Sequence, residues 1–312
     1  MPPDAAPLYA AVELGSGSFR LQVASCAGGA VRVRATLNEP IRLGDPDAGC
    51  KADATRRALD CLRRFRKTLD LWQPHAVRVV ATAALRVARN APAFVPAAQA
   101  LIGHPVEVIG PEEEGRLVYL GVAAALGEAQ ERRLVLDIGS GSTEIVAGRG
   151  ERVERVQSFG VGALRHGLAF FGEGLDPDAF DAALASSRSR FAETGDAPGM
   201  RGWERAYGAC RGVHMLAELA DELLPSPGLL CAGRLHALRR ALIEHGGLGR
   251  IAARWPQPGR AAQVAGGLAM LLALVEELGI GAVLPVQAGL RAGVIRELYL
   301  RAQTDSPYRE CA

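Results

Sequence analysis

Leu134–Gly148, LVLDIGSGSTEIVAG, drives an apolar run into one carboxylate, Asp137, and then at once into a loop of glycines and serines. Residues 10–24, AAVELGSGSFRLQVA, do nearly the same with Glu13. A tight turn needs only one or two glycines, so four Gly/Ser residues after an acid exceed what a turn requires. Loops of this composition bind anions, because their amides can point at one spot and the serine hydroxyls add donors. A bare phosphate would be repelled by the acid at the strand end, but an acid there can hold Mg²⁺ bridging to the phosphate. For either copy alone, a plain hairpin turn is the simpler account. Two copies in the order acid, aliphatic, Gly-Ser-Gly-Ser, second strand point to two related domains facing each other across a cleft, with chance similarity of glycine-rich turns as the alternative.

At 312 residues the chain has room for two domains with separate cores. Its 49% apolar and 22% charged content is that of a soluble globular protein. The longest apolar stretch, GGLAMLLALVEELGI from Gly266, is interrupted by two glutamates, which argues against a membrane span. The first strand begins within about ten residues, leaving no room for a signal peptide, so a cytoplasmic location is expected. Cys26, Cys50, Cys61, Cys210, Cys231 and Cys311 form no CxxC pair or zinc-like spacing and read as reduced thiols. A net charge of +2 does not call for nucleic acid. All but two of the 36 Lys and Arg residues are arginine, which supplies many bidentate phosphate donors.

Hydrophobic periodicity gives strands at 8–14, 19–26 and 30–43, a helix over 53–70, a strand in AVRVVATAAL from Ala76 and a helix near 92–102. A short strand, VEVIG, precedes the helix PEEEGRLVYLGVAAAL, whose proline and acids suit a first turn. The second meander runs from Arg132 to about Ser158. Helices follow near 176–192, 212–223, 234–246, 262–278 and 288–303, with ETGDAPG at Glu193 as a loop. Strand meanders followed by helices, twice over, make an α/β protein with a mixed sheet in each half.

The segments ELGSGSFRL, VVATAALRVARN, EEEGRLVYLGV, LVLDIGSGSTEIV, SFGVGALRHG, GGLAMLLALVEELGI and AGLRAGV occur in the order and spacing of the exopolyphosphatase/guanosine pentaphosphate phosphohydrolase family. The chain resembles that family from about residue 9 to 303, in a short form without additional helical domains. The resemblance implies two actin-like, ribonuclease H-like domains, 1–122 and 123–312, with the active site in the cleft between them. It leaves the final helix, about 288–303, able to pack back on the first domain. It implies Mg²⁺ as cofactor, a homodimer, and hydrolysis of the terminal phosphate of inorganic polyphosphate or of guanosine pentaphosphate.

Carried over by motif, Glu114 is the catalytic base that would orient and deprotonate the attacking water. Read without the family, Glu112, Glu113 and Glu114 merely complement a helix dipole. Arg86 would neutralise phosphoryl oxygens, against a plain surface arginine. Phosphate would be bound by Gly15, Ser16, Gly17 and Ser18 in one loop and by Gly139, Ser140, Gly141, Ser142 and Thr143 in the other. Asp137, Glu144 and Glu13 would hold the metal, with an exposed strand start as the alternative for Glu144. Arg20 and Arg165 match family positions but read first as structural. RRALDCLRRFRK from Arg56 could guide a polyanion, or simply be a solvated helix face.

Several positions depart from the family. Glu13 stands for an aspartate, Gly17 for an asparagine and Ser140 for a glycine, the last mild if its φ is negative. GACRG, Gly208 to Gly212, replaces a Gly-Ala-Ser-Gly-Thr type loop; Arg211 then either reaches phosphate, blocks the loop or turns to solvent, and Cys210 lacks an activating partner. Gln287 and Ala292 stand where acids are common. These changes keep a non-catalytic phosphate or nucleotide sensor open as an alternative function.

Overall fold

The computed structural model describes residues 6–27, 30–41, 52–127, 130–172, 174–192, 194, 196, 197 and 199–305. The end of the expected third strand (42 and 43), Cys50, Cys311 and part of ETGDAPG lie outside them. Contacts divide the chain into two compact units, Met1–Glu128 with Ala288–Ala312, and Ala129–Gln287.

In the first unit, β1 (Leu8–Leu14), β2 (Phe19–Ala27) and β3 (Ala30–Glu39) form an antiparallel meander, followed by α1 (Ala52–Trp72) and β4 (Ala76–Ala81). Next come α2 (Ala83–Val87), α3 (Ala91–Ile102), β5 (Val106–Val108) and α4 (Pro111–Leu126). The sheet order is β3-β2-β1-β4-β5, with β4 parallel to both β1 and β5. Ala10, Val12 and Leu14 of β1 pack with Leu62 and Phe65 of α1 and Phe94 of α3 in one core.

The second unit holds β6 (Arg132–Ile138), β7 (Thr143–Arg149) and β8 (Arg152–Phe159), then α5 (Ala163–Phe170), α6 (Pro177–Phe191), β9 (Arg205–Gly208) and α7 (Arg211–Leu223). It continues with α8 (Ala232–Glu244), α9 (Gly247–Arg254), α10 (Arg260–Glu277) and β10 (Val283–Pro285). Its sheet, β8-β7-β6-β9-β10, repeats the order and strand senses of the first. Even the irregularity recurs: the register slips between Val23 and Ala24 and between Ala147 and Gly148, each starting ten residues past the acid. The expectation of two related α/β halves with mixed sheets is met.

Two helices are set by close approach. α11 (Leu290–Asp305) lies on α4, where a Cβ added at Gly293 would stand 1.8 Å from the Leu117 carbonyl oxygen. In the second unit α10 lies on α5, where a Cβ at Gly167 would stand 1.8 Å from the Ala262 carbonyl oxygen. α10 is apolar all round from Val264 to Val275 because that stretch is enclosed. None of the described helices is long and apolar enough to cross a membrane.

AVRVVATAAL is not a strand throughout. The strand stops at Ala81, Thr82 has extended backbone, and the following alanines, strong helix formers, begin α2. β9, α5, α9 and β10 are elements beyond those expected from the sequence.

Candidate active site

In the first unit, β1 and β2 pair to the end of their strands, so Glu13 faces Arg20 in register and Leu14 faces Phe19. The Gly15 amide donates to the Ser18 carbonyl at 3.1 Å and closes the loop. Side chains opposite one another in an antiparallel pair share a face of the sheet. Glu13 accordingly takes Arg20 at 3.7 Å on one oxygen, while Arg291 of α11 donates to the other at 2.5 Å. Burial would push the Glu13 carboxyl up, but the two guanidiniums outweigh it and hold it below the ordinary carboxylate range.

The three glutamates of α4 have separate fates. Glu112 is exposed. Glu113 joins an ion network with Arg116 and Arg78, which in turn reach Glu297 of α11. Glu114 is buried, at 8% exposure, and its Oε2 accepts from Arg86 Nη1 at 2.7 Å. α2 supplies that arginine, and the same Nη1 also donates to the Ile109 carbonyl. Burial raises the Glu114 carboxyl above its ordinary value despite Arg86, and the charge of Glu13 adds to the rise. A dipole-complementing glutamate needs no buried partner, so Glu114 is set apart from its two neighbours.

In the second unit, Asp137 faces Glu144 in register, two acids on one sheet face. Glu144 is 1% exposed and accepts from the Ser158 hydroxyl at 3.0 Å. That contact follows from register too, since Ser158 is its β8 partner. The Gly139 amide donates to the Ser142 carbonyl at 2.9 Å, repeating the first loop. The loop is braced from outside. The Ala163 amide donates to the Gly139 carbonyl at 2.8 Å, the Thr143 hydroxyl to the Val161 carbonyl at 2.8 Å, and the Gln263 amide to Ser140 Oγ at 2.9 Å. The backbone of Gly162 lies so close that a Cβ there would stand 2.3 Å from the Gly141 nitrogen. None of the glycines in the two loops, nor Ser140, has positive φ, so the glycines serve amide access and close approach, and Ser140 fits without strain.

Cys210 precedes α7, and burial, with the Asp137 charge adding, pushes its thiol up to about 12, which removes it as a nucleophile. Arg211 is exposed on the first turn of α7 and makes no hydrogen bond or ion pair with a described residue. On the arginine-rich face of α1, Arg56, Arg63 and Arg66 pair with Asp53, Asp60 and Asp70, as a solvated face would.

Residues 35–302 match the Ppx/GppA phosphatase family. The chain belongs to this family. Its fold is that of the Aquifex aeolicus member of the Ppx/GppA protein family, at 24% identity over 95% of this chain and 98% of that one, with a TM-score of 0.81. It is also that of an exopolyphosphatase from Cytophaga hutchinsonii, at 20% identity over 96% and 99%, with a TM-score of 0.82. As a Ppx/GppA member the protein is a phosphatase, a hydrolase of phosphoanhydrides with an actin-like fold.

Within this phosphatase, the first unit gathers Glu13, Arg20, Arg291, Arg86 and Glu114, and the second gathers Asp137, Glu144, the Gly139–Thr143 loop and Gln263. Arg291 and Gln263 carried no assigned role in the sequence, although Arg291 stands in the quoted AGLRAGV. A buried acid awaiting a cation was the available signal for Arg291. Gln263 had none.

The donor sets differ in their fitness for a metal. Among the described residues no group of three or more His, Cys, Asp and Glu is placed to hold one. Mg²⁺ does not need such a cage, since it binds through one or two carboxylates, waters and substrate phosphates. The Asp137–Glu144 pair suits that mode. Glu13, expected as a third ligand, has both its carboxylate oxygens facing guanidiniums.

Proposed function

We propose that this Ppx/GppA phosphatase is an exopolyphosphatase, releasing the terminal phosphate of inorganic polyphosphate by attack of water. The observation that carries the reading is Glu114, a buried carboxylate with a raised pKa held by Arg86 at the head of α4. A base of that kind can accept the proton of a water attacking phosphorus near neutral pH. Of the Arg86 guanidinium only Nη1 is engaged by described residues, which leaves Nη2 and Nε for phosphoryl oxygens. The Gly15 and Gly139 amides and the Thr143 hydroxyl are engaged within the protein, and the other amides and the serine hydroxyls of the two loops supply neutral donors to the phosphate chain. Arg20 and Arg291 hold Glu13 ionised and offset its charge near a polyanion.

Asp137 and Glu144 are the residues that would hold Mg²⁺. When bound, the ion would offset the charge of the phosphate oxygens it touches. Arg211, exposed on α7, could meet a long polyanion at its flank. A cytoplasmic location fits Cys61, Cys210 and Cys231 as free thiols.

The test is phosphate release from long-chain polyphosphate with Mg²⁺, run beside guanosine pentaphosphate, for wild type and Glu114→Gln. Loss of a positioned base is worth roughly 10²–10⁴-fold, and a fall of about 10³-fold in turnover on polyphosphate is expected. Faster release from guanosine pentaphosphate would transfer the assignment to that substrate. Equal, negligible release by both proteins would make the molecule a phosphate-binding sensor.

A further inference from the structure

Gln263 lies on the first turn of α10, four residues after Gly259, whose φ of 67° sets the start of the helix. From there its side chain spans 123 residues of sequence to meet Ser140 at 2.9 Å. Its other end is held by its own helix: Arg260 Nη1 donates to Gln263 Oε1 at 2.9 Å.

The polarity of this chain of contacts is fixed by its first member. A guanidinium only donates, so the amide oxygen of Gln263 must face Arg260. The amide nitrogen is then turned to Ser140, and Ser140 Oγ must accept. A hydroxyl that accepts from a neighbour keeps its own proton for a different acceptor. Ser140 is half-buried in the second loop and makes no other side-chain hydrogen bond with a described residue. Its counterpart in the first loop, Ser16, also three residues past the acid, makes none at all among the described residues.

We propose that Gln263 and Arg260 are positioning residues that commit the Ser140 hydroxyl to donating a hydrogen bond to a phosphoryl oxygen held at the second loop. The inference rests on the reading of that loop as a phosphate site. It explains what a serine gains where the family pattern has a glycine: a hydroxyl donor, beside the amides, whose direction is preset. A preset donor avoids the rotamer and hydroxyl freedom that an unbraced serine loses on binding.

The experiment is steady-state release of phosphate from polyphosphate with Mg²⁺, paired with calorimetric binding of tripolyphosphate in a Glu114→Gln background. Ser140→Ala should raise KM about tenfold with kcat little changed, because a contact to bound phosphate is shared by ground and transition states. Gln263→Leu should raise KM about threefold. Gln263→Glu keeps the size and the Arg260 contact but now accepts the Ser140 proton, so it should cost more than Gln263→Leu, about tenfold; a merely structural role predicts the reverse order. In the Ser140→Ala background both Gln263 effects should shrink to less than twofold. If they persist there in full, or fall on kcat alone, or are absent in an active enzyme, the inference is overturned while the phosphatase reading stands. A wild type that neither releases phosphate nor binds tripolyphosphate overturns both. Should Gln263→Glu fail to fold, Gln263→Leu against Ser140→Ala decides the matter.

Discussion

The two glycine-serine hairpins are one design carried to two electrostatic ends. Both pair an acid with the residue seven positions later, both close with a glycine amide on a serine carbonyl, and both slip register ten residues past the acid. The residue seven positions on is Arg20 in the first unit and Glu144 in the second. In the first, a carboxylate is neutralised within the protein, by Arg20 and by Arg291 of α11. In the second, two carboxylates share a face, an arrangement that low-dielectric surroundings penalise unless a cation joins them. The same backbone therefore sets an acid against an arginine in one unit and against a second acid in the other, the arrangement behind the proposed cation site, and the residue on the return strand makes the difference.

The sharpest way to break this comparison is to titrate metal. Asp137→Asn removes one of two acids in the proposed cation site. It should weaken Mg²⁺ activation by at least about 100-fold, since even residues beside metal ligands are worth about 10–100-fold in affinity. Glu13→Gln should leave the Mg²⁺ concentration for half-maximal activity where it was. Equal displacement of that midpoint by both substitutions would show that the first hairpin holds metal after all.

The first unit offers a smaller effect, read in stability. Arg291→Met takes away the nearer guanidinium and strands a largely buried carboxylate, with Arg20 at 3.7 Å as its remaining cation. Removing one partner of such a pair costs about 3 kcal/mol, most of it from the charge left behind. Thermal unfolding should fall accordingly, and the double substitution Arg291→Met with Glu13→Gln should recover a good part of the loss. No recovery would mean that Arg291 acts by packing α11 and not by neutralising Glu13.

Much of this comparison is legible in the sequence. The acid–Gly-Ser-Gly-Ser pattern marks both hairpins, and strand periodicity gives Leu8–Leu14 and a return strand from Phe19 close to their observed limits. The partner of each acid is also implicit, because a four-residue loop sets the register and so places Arg20 opposite Glu13 and Glu144 opposite Asp137. Arg291 and Gln263 are another matter. Each reaches its partner from a helix far along the chain, and no local period encodes that meeting. The break of AVRVVATAAL at Thr82 was hidden for a different reason: alanine-rich sequence after a buried strand satisfies strand and helix alike until packing chooses. That choice carries Arg86 to Glu114.

Two glutamates of the first unit respond to pH in opposite senses, which gives a finer test of the counter-ion role. The Glu13 carboxyl is held below its ordinary value near 4.5. Its ionised form is favoured by folding, so its contribution is fully present above that value and is lost as pH falls through the depressed folded value. The Glu114 carboxyl is raised above the same ordinary value by burial. Folding favours its protonated form, so its contribution is present below about 4.5 and is lost as pH rises through the folded value. Glu13→Gln should therefore cost about 2 kcal/mol at neutral pH, as for a hydrogen-bonded charge replaced by an amide, and the cost should shrink as the solution is acidified below 4.5. Glu114→Gln should run the other way, comparing best with wild type at the high end of the range. Urea unfolding of the three proteins between about pH 2 and pH 8 measures both slopes (roughly 1.4 kcal/mol per pH unit at most for one group). Parallel curves for Glu13→Gln and wild type would mean that Arg20 and Arg291 do not hold that carboxylate ionised, and the contrast between the hairpins would lose its physical basis.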